Sequence, residues 1–125
     1  MRDVRQDLRR EPVKKNDDFR KCYNTGKSYV NRDLVLYVCG NDTGKNRIGI
    51  SVSKKVGNSV VRHRITRLIR ESYRLHEQMF NSGLDMVVVA RSRAKGADYH
   101  RIEGALLHLA GKAGIYGKKN NDMDD

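Results

Sequence analysis

Apolar residues recur along this chain in two periods, and the switches between them mark its elements. Residues 1 to about 15 mix Arg, Asp, Lys and Glu without apolar periodicity, which predicts an extended or mobile arm. Asn16, Asp17 and Asp18 offer caps for a short helix in which Phe19 and Tyr23, at i and i+4, share a face. Gly26 is placed to end it. Ser28 to Asn31 suits a short strand. Leu34 to Cys39 is a clearer one, with Leu34, Leu36 and Val38 alternating with Val35, Tyr37 and Cys39. The cluster Gly40-Asn41-Asp42-Thr43-Gly44 is a turn, a further strand runs from Ile48 to Ser53, and the pair reads as a hairpin. Ile48, Ile50 and Val52 share one face, and the small residues Gly49, Ser51 and Ser53 share the other. If that small face lies with the Tyr37 face, the sheet has one packed side and one hollow side that suits a flat base.

Gly57 and Asn58 break the strand pattern, and Asn58 or Ser59 caps a helix running to about Phe80, stopped by Asn81-Ser82-Gly83. Met86 to Ala90 is nearly all apolar, as befits a parallel or central strand buried on both faces. From about Ala97, Ile102, Leu106, Leu109 and Ala113 define a last amphipathic helix. Gly104 and Gly111 weaken it by about 1 kcal/mol each relative to Ala. Residues 117–125 read as a disordered tail. The fold class is α+β: one small domain over residues 16–116, in the order helix, three strands, helix, strand, helix, with a mainly antiparallel four-stranded sheet packed with helices.

Composition narrows the function. A chain of 125 residues buries a real core without disulfides or metal. Its net charge of +11 asks for a polyanionic partner: nucleic acid, an acidic membrane surface or an acidic protein. No run approaches the roughly 18 apolar residues of a membrane span, and the opening MRDVRQDLRR has no apolar core of a secretory signal. A cytoplasmic protein without a membrane partner is expected. Cys22 and Cys39 form no CxxC or Cys/His framework and read as two reduced core thiols.

The charge is concentrated. Between Ser53 and Arg74 lie Lys54, Lys55, Arg62, Arg64, Arg67, Arg70 and Arg74 against one acid, Glu71. On a helical wheel Val61, Ile65, Leu68, Leu75 and Met79 fall in one arc, which can pack on the sheet. His63, Arg67, Arg70 and Arg74 fall opposite, with Arg64 on the flank. A solvated helix face normally alternates sign; here the arginines repel by a few tenths of a kcal/mol per pair. Only Glu71 offsets this, through Arg67 or Arg74. A fold that tolerates such repulsion implies an anion to relieve it. Guanidinium forks, rather than ammonium groups, suit phosphate contact and base stacking.

Other motifs carry less. Thr25-Gly26-Lys27-Ser28 mimics the end of a phosphate-binding P-loop, but Lys21 stands where that loop needs glycine and the preceding element is a helix. His63, His76, His100 and His108 lack metal-ligand spacing, so no metal site is expected. His63 with Glu71 is the one conceivable acid–base pair for a protein-only nuclease. They lie far apart on one helix, so no catalytic residue is assigned.

The stretch from Ile48 to Glu71, with Lys54-Lys55-Val56-Gly57-Asn58-Ser59-Val60-Val61-Arg62-His63-Arg64 at its centre, closely resembles the protein subunit of bacterial ribonuclease P. So do Asn16-Asp17-Asp18-Phe19, Gly26-Lys27-Ser28 and Asn31-Arg32, and the resemblance covers about residues 13 to 115. The family's box is Arg-Asn-Arg, where this chain has Arg62-His63-Arg64. Thr66 stands where lysine is common, which would remove one phosphate contact. The resemblance implies a ribosomal-protein-S5-domain-2-like fold with a left-handed βαβ crossover into the strand at Met86. It implies a partner, the catalytic RNA of ribonuclease P, which cuts the 5′ leader from precursor tRNA with Mg²⁺ held by RNA and substrate. Carried over by position, Arg62, His63, Arg64, Arg67, Arg70 and Arg74 would contact that RNA. Phe19, Tyr23 and Tyr37, with Lys54 and Lys55 nearby, would hold the leader in the hollow. No small-molecule substrate is implied. The competing readings are a general RNA-binding protein, such as a ribosomal protein or RNA chaperone, and the protein-only nuclease.

Overall fold

The computed structural model describes residues 20–24 and 26–117. The expected arm at 1–15, Phe19 and residues 118–125 of the expected tail lie outside the described residues. Helical residues 20–24 (α1) are followed by β1 (Lys27–Val30), β2 (Leu34–Gly40), β3 (Arg47–Ser51), α2 (Ser59–His76), β4 (Leu84–Ala90) and α3 (Tyr99–Ala113). Short 3₁₀ turns occupy Glu77–Met79 and Ser92–Ala94. The order matches the expected α+β succession.

The sheet is ordered β1-β2-β4-β3, and this corrects one expectation: β2 and β3 do not form a hairpin. β4 lies between them, antiparallel to β2 and parallel to β3, so that Met86 faces Val38 on one side and Ile48 on the other. The cause is burial. Met86, Val87 and Val88 are all buried, so β4 takes the place that shields both faces and gives it a pairing edge on either side. The supposed hairpin turn arches over the entry to β4 instead. Asn41 N–H donates to the Gly83 carbonyl at 2.8 Å, and the Asn46 side chain donates to the Asn81 carbonyl at 2.7 Å while accepting from Leu84 N–H at 3.0 Å. The tight hairpin is β1–β2, closed by Asn31, whose side-chain oxygen accepts from Asp33 and Leu34 N–H.

Both long helices pack on one face of the sheet. Leu34, Leu36, Ile50, Val52, Met86 and Val88 meet Ile65 and Ile69 of α2 and Ile102, Leu106 and Leu109 of α3. The inward side of α2 is turned from the expected arc. Ile65, Thr66, Ile69 and Ser72 are buried, while Leu75 is 57% exposed. Thr66 and Ser72 tolerate burial because each hydroxyl donates to the carbonyl one turn back, on Arg62 and Leu68, at 2.9 Å. The other face of the sheet carries a smaller cluster of Cys22, Tyr23, Tyr37, Cys39, Val87 and Val89, covered by α1. Gly26 allows that cover. Its N–H donates to the Cys22 carbonyl at 3.0 Å, and a Cβ there would lie 2.5 Å from the Val38 carbonyl oxygen. Carbonyls rather than N–H groups crowd Gly26, the reverse of a phosphate cradle.

Candidate nucleic-acid interface

The basic helix is set by its start. Asn58 is the N-cap, and its side chain accepts from Val61 N–H at 3.0 Å. Gly57 makes the sharp entry possible, since a Cβ there would sit 2.7 Å from the Val61 side chain. With Ile65 and Ile69 facing the core, the outward side holds an open groove of about 790 Å³ lined by Ser59, Val60, His63, Arg64, Arg67, Leu68 and Glu71. Arg64 is anchored by a 2.8 Å hydrogen bond from Nη1 to the Ala97 carbonyl, which ties α2 to the loop before α3. Arg67 is exposed and has no acidic partner among the described residues. Arg74 is exposed and pairs with Glu71 at 2.8 Å. Arg62 and Arg70 are half-buried on the flanks of this face. Thr66 lies on the buried side, so the lysine missing there leaves no gap in the outward face.

His63 and Glu71 line the same groove but stand about 12 Å apart along the helix axis. The Glu71 carboxylate is engaged by Arg74. They do not make an acid–base pair.

The face expected to be hollow is packed under α1, and its composition differs from the simple hairpin picture. Tyr37 neighbours Val87, and Val87 neighbours Gly49, so the small residues of β3 extend the Tyr37 face across β4 rather than beside it. The rings of Tyr23 and Tyr37 meet edge to face at 4.9 Å. The Tyr23 hydroxyl is buried with no hydrogen-bond partner among the described residues. Burial, reinforced by Tyr37 and Cys22, pushes its pKa up, so it stays a neutral phenol. Lys54 and Lys55 are exposed in the turn after β3. Phe19 lies outside the described residues.

A second basic group escaped the sequence reading. Because β3 and β4 are parallel, their C-terminal ends lie at one end of the sheet, where the β1–β2 turn also lies. That end carries Arg32, Lys54, Lys55, Arg91, Arg93 and Lys95, all exposed. Arg91 is braced by a 2.7 Å hydrogen bond from Nη1 to the Asn31 carbonyl. The signal was the run Arg91-Ser92-Arg93-Ala94-Lys95. It lacks helical period, and only the strand order joins it to the Lys54–Lys55 turn.

An arginine-faced helix on one side of a sheet, a tyrosine cluster on the other and a basic end between them define a small α+β nucleic-acid-binding domain. The family model described as Ribonuclease P matches residues 8–114. A ribonuclease P protein component from Lachnoclostridium phytofermentans is 60% identical over 100 residues, covering 80% of this chain and 86% of that protein. One from Clostridium botulinum is 51% identical over 110 residues, covering 87% and 99%. Among solved structures, the Staphylococcus aureus RNase P protein superposes with a TM-score of 0.76 at 40% identity, over 83% of this chain and 95% of that one. The Thermotoga maritima RNase P protein gives 0.74 at 27% identity, over 82% and 96%. The chain belongs to the ribonuclease P protein family.

Proposed function

We propose that this chain is the non-catalytic protein component of ribonuclease P, acting in the cytoplasm on two RNAs at once. The outward face of α2, with Arg62, His63, Arg64, Arg67, Arg70 and Arg74, binds the catalytic RNA subunit. The hollow under α1, with Phe19, Tyr23 and Tyr37 and the nearby Lys54 and Lys55, holds the 5′ leader of precursor tRNA. Mg²⁺ and the bond-breaking chemistry belong to the RNA subunit, which hydrolyses the phosphodiester that joins leader to mature tRNA. The observation that supports this most is the family match across residues 8–114, which spans both the basic helix and the hollow. Stacking suits the leader because every base has a π-face, so each contact is worth ~1–3 kcal/mol whatever the sequence. A general RNA-binding role needs charge but gives no reason for an aromatic hollow on the face opposite the long helices.

The isolated protein should leave precursor tRNA intact. Added to its cognate RNA subunit, it should lower the KM or the Mg²⁺ demand of cleavage at physiological salt. Mg²⁺-dependent cleavage by RNA-free protein would overturn the assignment of chemistry. An RNA subunit indifferent to the protein would return the general RNA-binding reading.

A further inference from the structure

The RNA contacts proposed above leave two cysteines unused, and the fold brings these together from α1 and β2. Their Sγ atoms lie 2.6 Å apart, so a disulfide of ~2.05 Å needs about half an ångström of approach. Cys22 is fully buried and its thiol donates to the Asp85 carbonyl at 3.2 Å. Burial and the contact with Cys39 push the Cys22 thiol up, so it remains protonated. Cys39 is only partly buried and is the more open of the two to a small oxidant. The pair therefore has a division of labour: an accessible sulfur that is oxidised first and a protected one that resolves it.

Position gives the pair a consequence. Cys22 adjoins Tyr23 in α1, and Cys39 lies two residues from Tyr37 on the same face of β2. A base enters between the two rings only when they part, which frees the buried Tyr23 hydroxyl to find water. We propose that Cys22 and Cys39 form a reversible disulfide under peroxide stress that fastens α1 to β2 and closes the aromatic hollow to single-stranded RNA. In the first step the Cys39 thiolate attacks one peroxide oxygen, the O–O bond breaks, and the hydroxide released takes up a proton to become water. In the second, the Cys22 sulfur displaces the hydroxyl of the Cys39 sulfenic acid, and the hydroxide leaves with the Cys22 proton as water. Two thiols and one hydrogen peroxide give one disulfide and two waters. A reducing cytoplasm keeps the dithiol, open-capable form at rest.

The consequence for RNA rests on the leader assignment proposed above, and the test separates the two. The assembled holoenzyme is treated with hydrogen peroxide, its remaining thiols are alkylated, and the intact protein is weighed. Binding to precursor and to mature tRNA is measured before and after. The expected result is a chain that has lost two hydrogens and takes up no alkylating agent. Precursor binding should weaken about tenfold, the worth of one stacked base, with mature tRNA unaffected and dithiothreitol reversing the change. Holoenzyme carrying Cys39→Ser should not respond to peroxide, and this partly buried position avoids cutting into the core at Cys22. Two alkylatable thiols after peroxide, or a disulfide that leaves the precursor-to-mature ratio unchanged, would overturn the proposal. A reduced holoenzyme that binds both tRNAs equally would instead sink the leader assignment, and the switch with it.

Discussion

Arg67 and Arg74 share the outward face of α2 but differ in electrical surroundings. Arg74 donates to both oxygens of Glu71 at 2.8 and 3.0 Å, whereas Arg67 has no acidic partner among the described residues. An exposed pair of this kind is worth ~0–1 kcal/mol, but it must be loosened before Arg74 can meet a phosphate. Arg67→Ala should therefore reduce the slope of log affinity against log salt by ~0.7–0.9, the value of one phosphate contact. Arg74→Ala should reduce it less. Salt titrations of binding to the RNA subunit measure both, and equal slopes for the two variants would refute the distinction. The sequence named both arginines but not which one Glu71 would engage, because the i,i+3 and i,i+4 options are close in energy.

At the scale of elements, the basic helix depends on one cap. Asn58→Ala removes the acceptor for Val61 N–H and should lower stability by about 1 kcal/mol. Asn58→Asp keeps the acceptor and suits the helix dipole, so stability should hold, but it places a negative charge beside the arginine face. Denaturant unfolding and RNA binding of the two variants should come apart: the Ala variant loses stability, the Asp variant loses affinity. A destabilised Asp variant would contradict the cap geometry. Elements were the most legible layer of the sequence, since period and punctuation are local. Strands at Leu34, Ile48 and Met86 and helices at Ser59 and Tyr99 all appear close to where their patterns placed them. The inward side of α2 was less legible. Ser72 and Thr66 count as polar on a wheel, yet each satisfies its hydroxyl within the helix and goes inside, while Leu75 stays out.

At the scale of the whole molecule, one polar network holds the end of α2, the start of α3 and the C-terminal segment together. His76 Nε2 lies 2.7 Å from the Glu103 carboxylate, Tyr99 O–H donates to Glu103 at 3.2 Å, and the Tyr116 hydroxyl lies 3.3 Å from His76 Nδ1. The hydrogen bond with His76, and then that from Tyr99, hold the Glu103 carboxyl below its ordinary value against the opposing effect of burial. A carboxyl lowered in the folded state stabilises fully above its unfolded pKa and loses that contribution as pH falls through the folded one. Thermal melts from about pH 7 to pH 3 should thus fall less steeply on the acid side for Glu103→Gln than for the parent chain. Parallel acid limbs would show that Glu103 contributes nothing to acid sensitivity. Topology was the least legible layer. Periodicity gives each strand its faces but not its neighbour, and the Gly40–Gly44 cluster looks the same arching over β4 as it would closing a hairpin. The grouping of Tyr37 with the small residues survived that error because Tyr37, Val87 and Gly49 stay on one face whichever strand lies between them.

The central place of β4 also sets a timetable for synthesis. β2 and β3 emerge from the ribosome early, but neither has its inner partner until Leu84–Ala90 has followed, after the whole of α2. Closing the sheet thus waits on contacts such as Ile48 with Met86 that are far apart in sequence, the kind that slow folding most. Until then the nascent chain carries a β1–β2 hairpin, an unpaired β3 edge and an arginine-rich helix segment. A nascent chain of that kind meets the surrounding RNA through its charge before its sheet has closed.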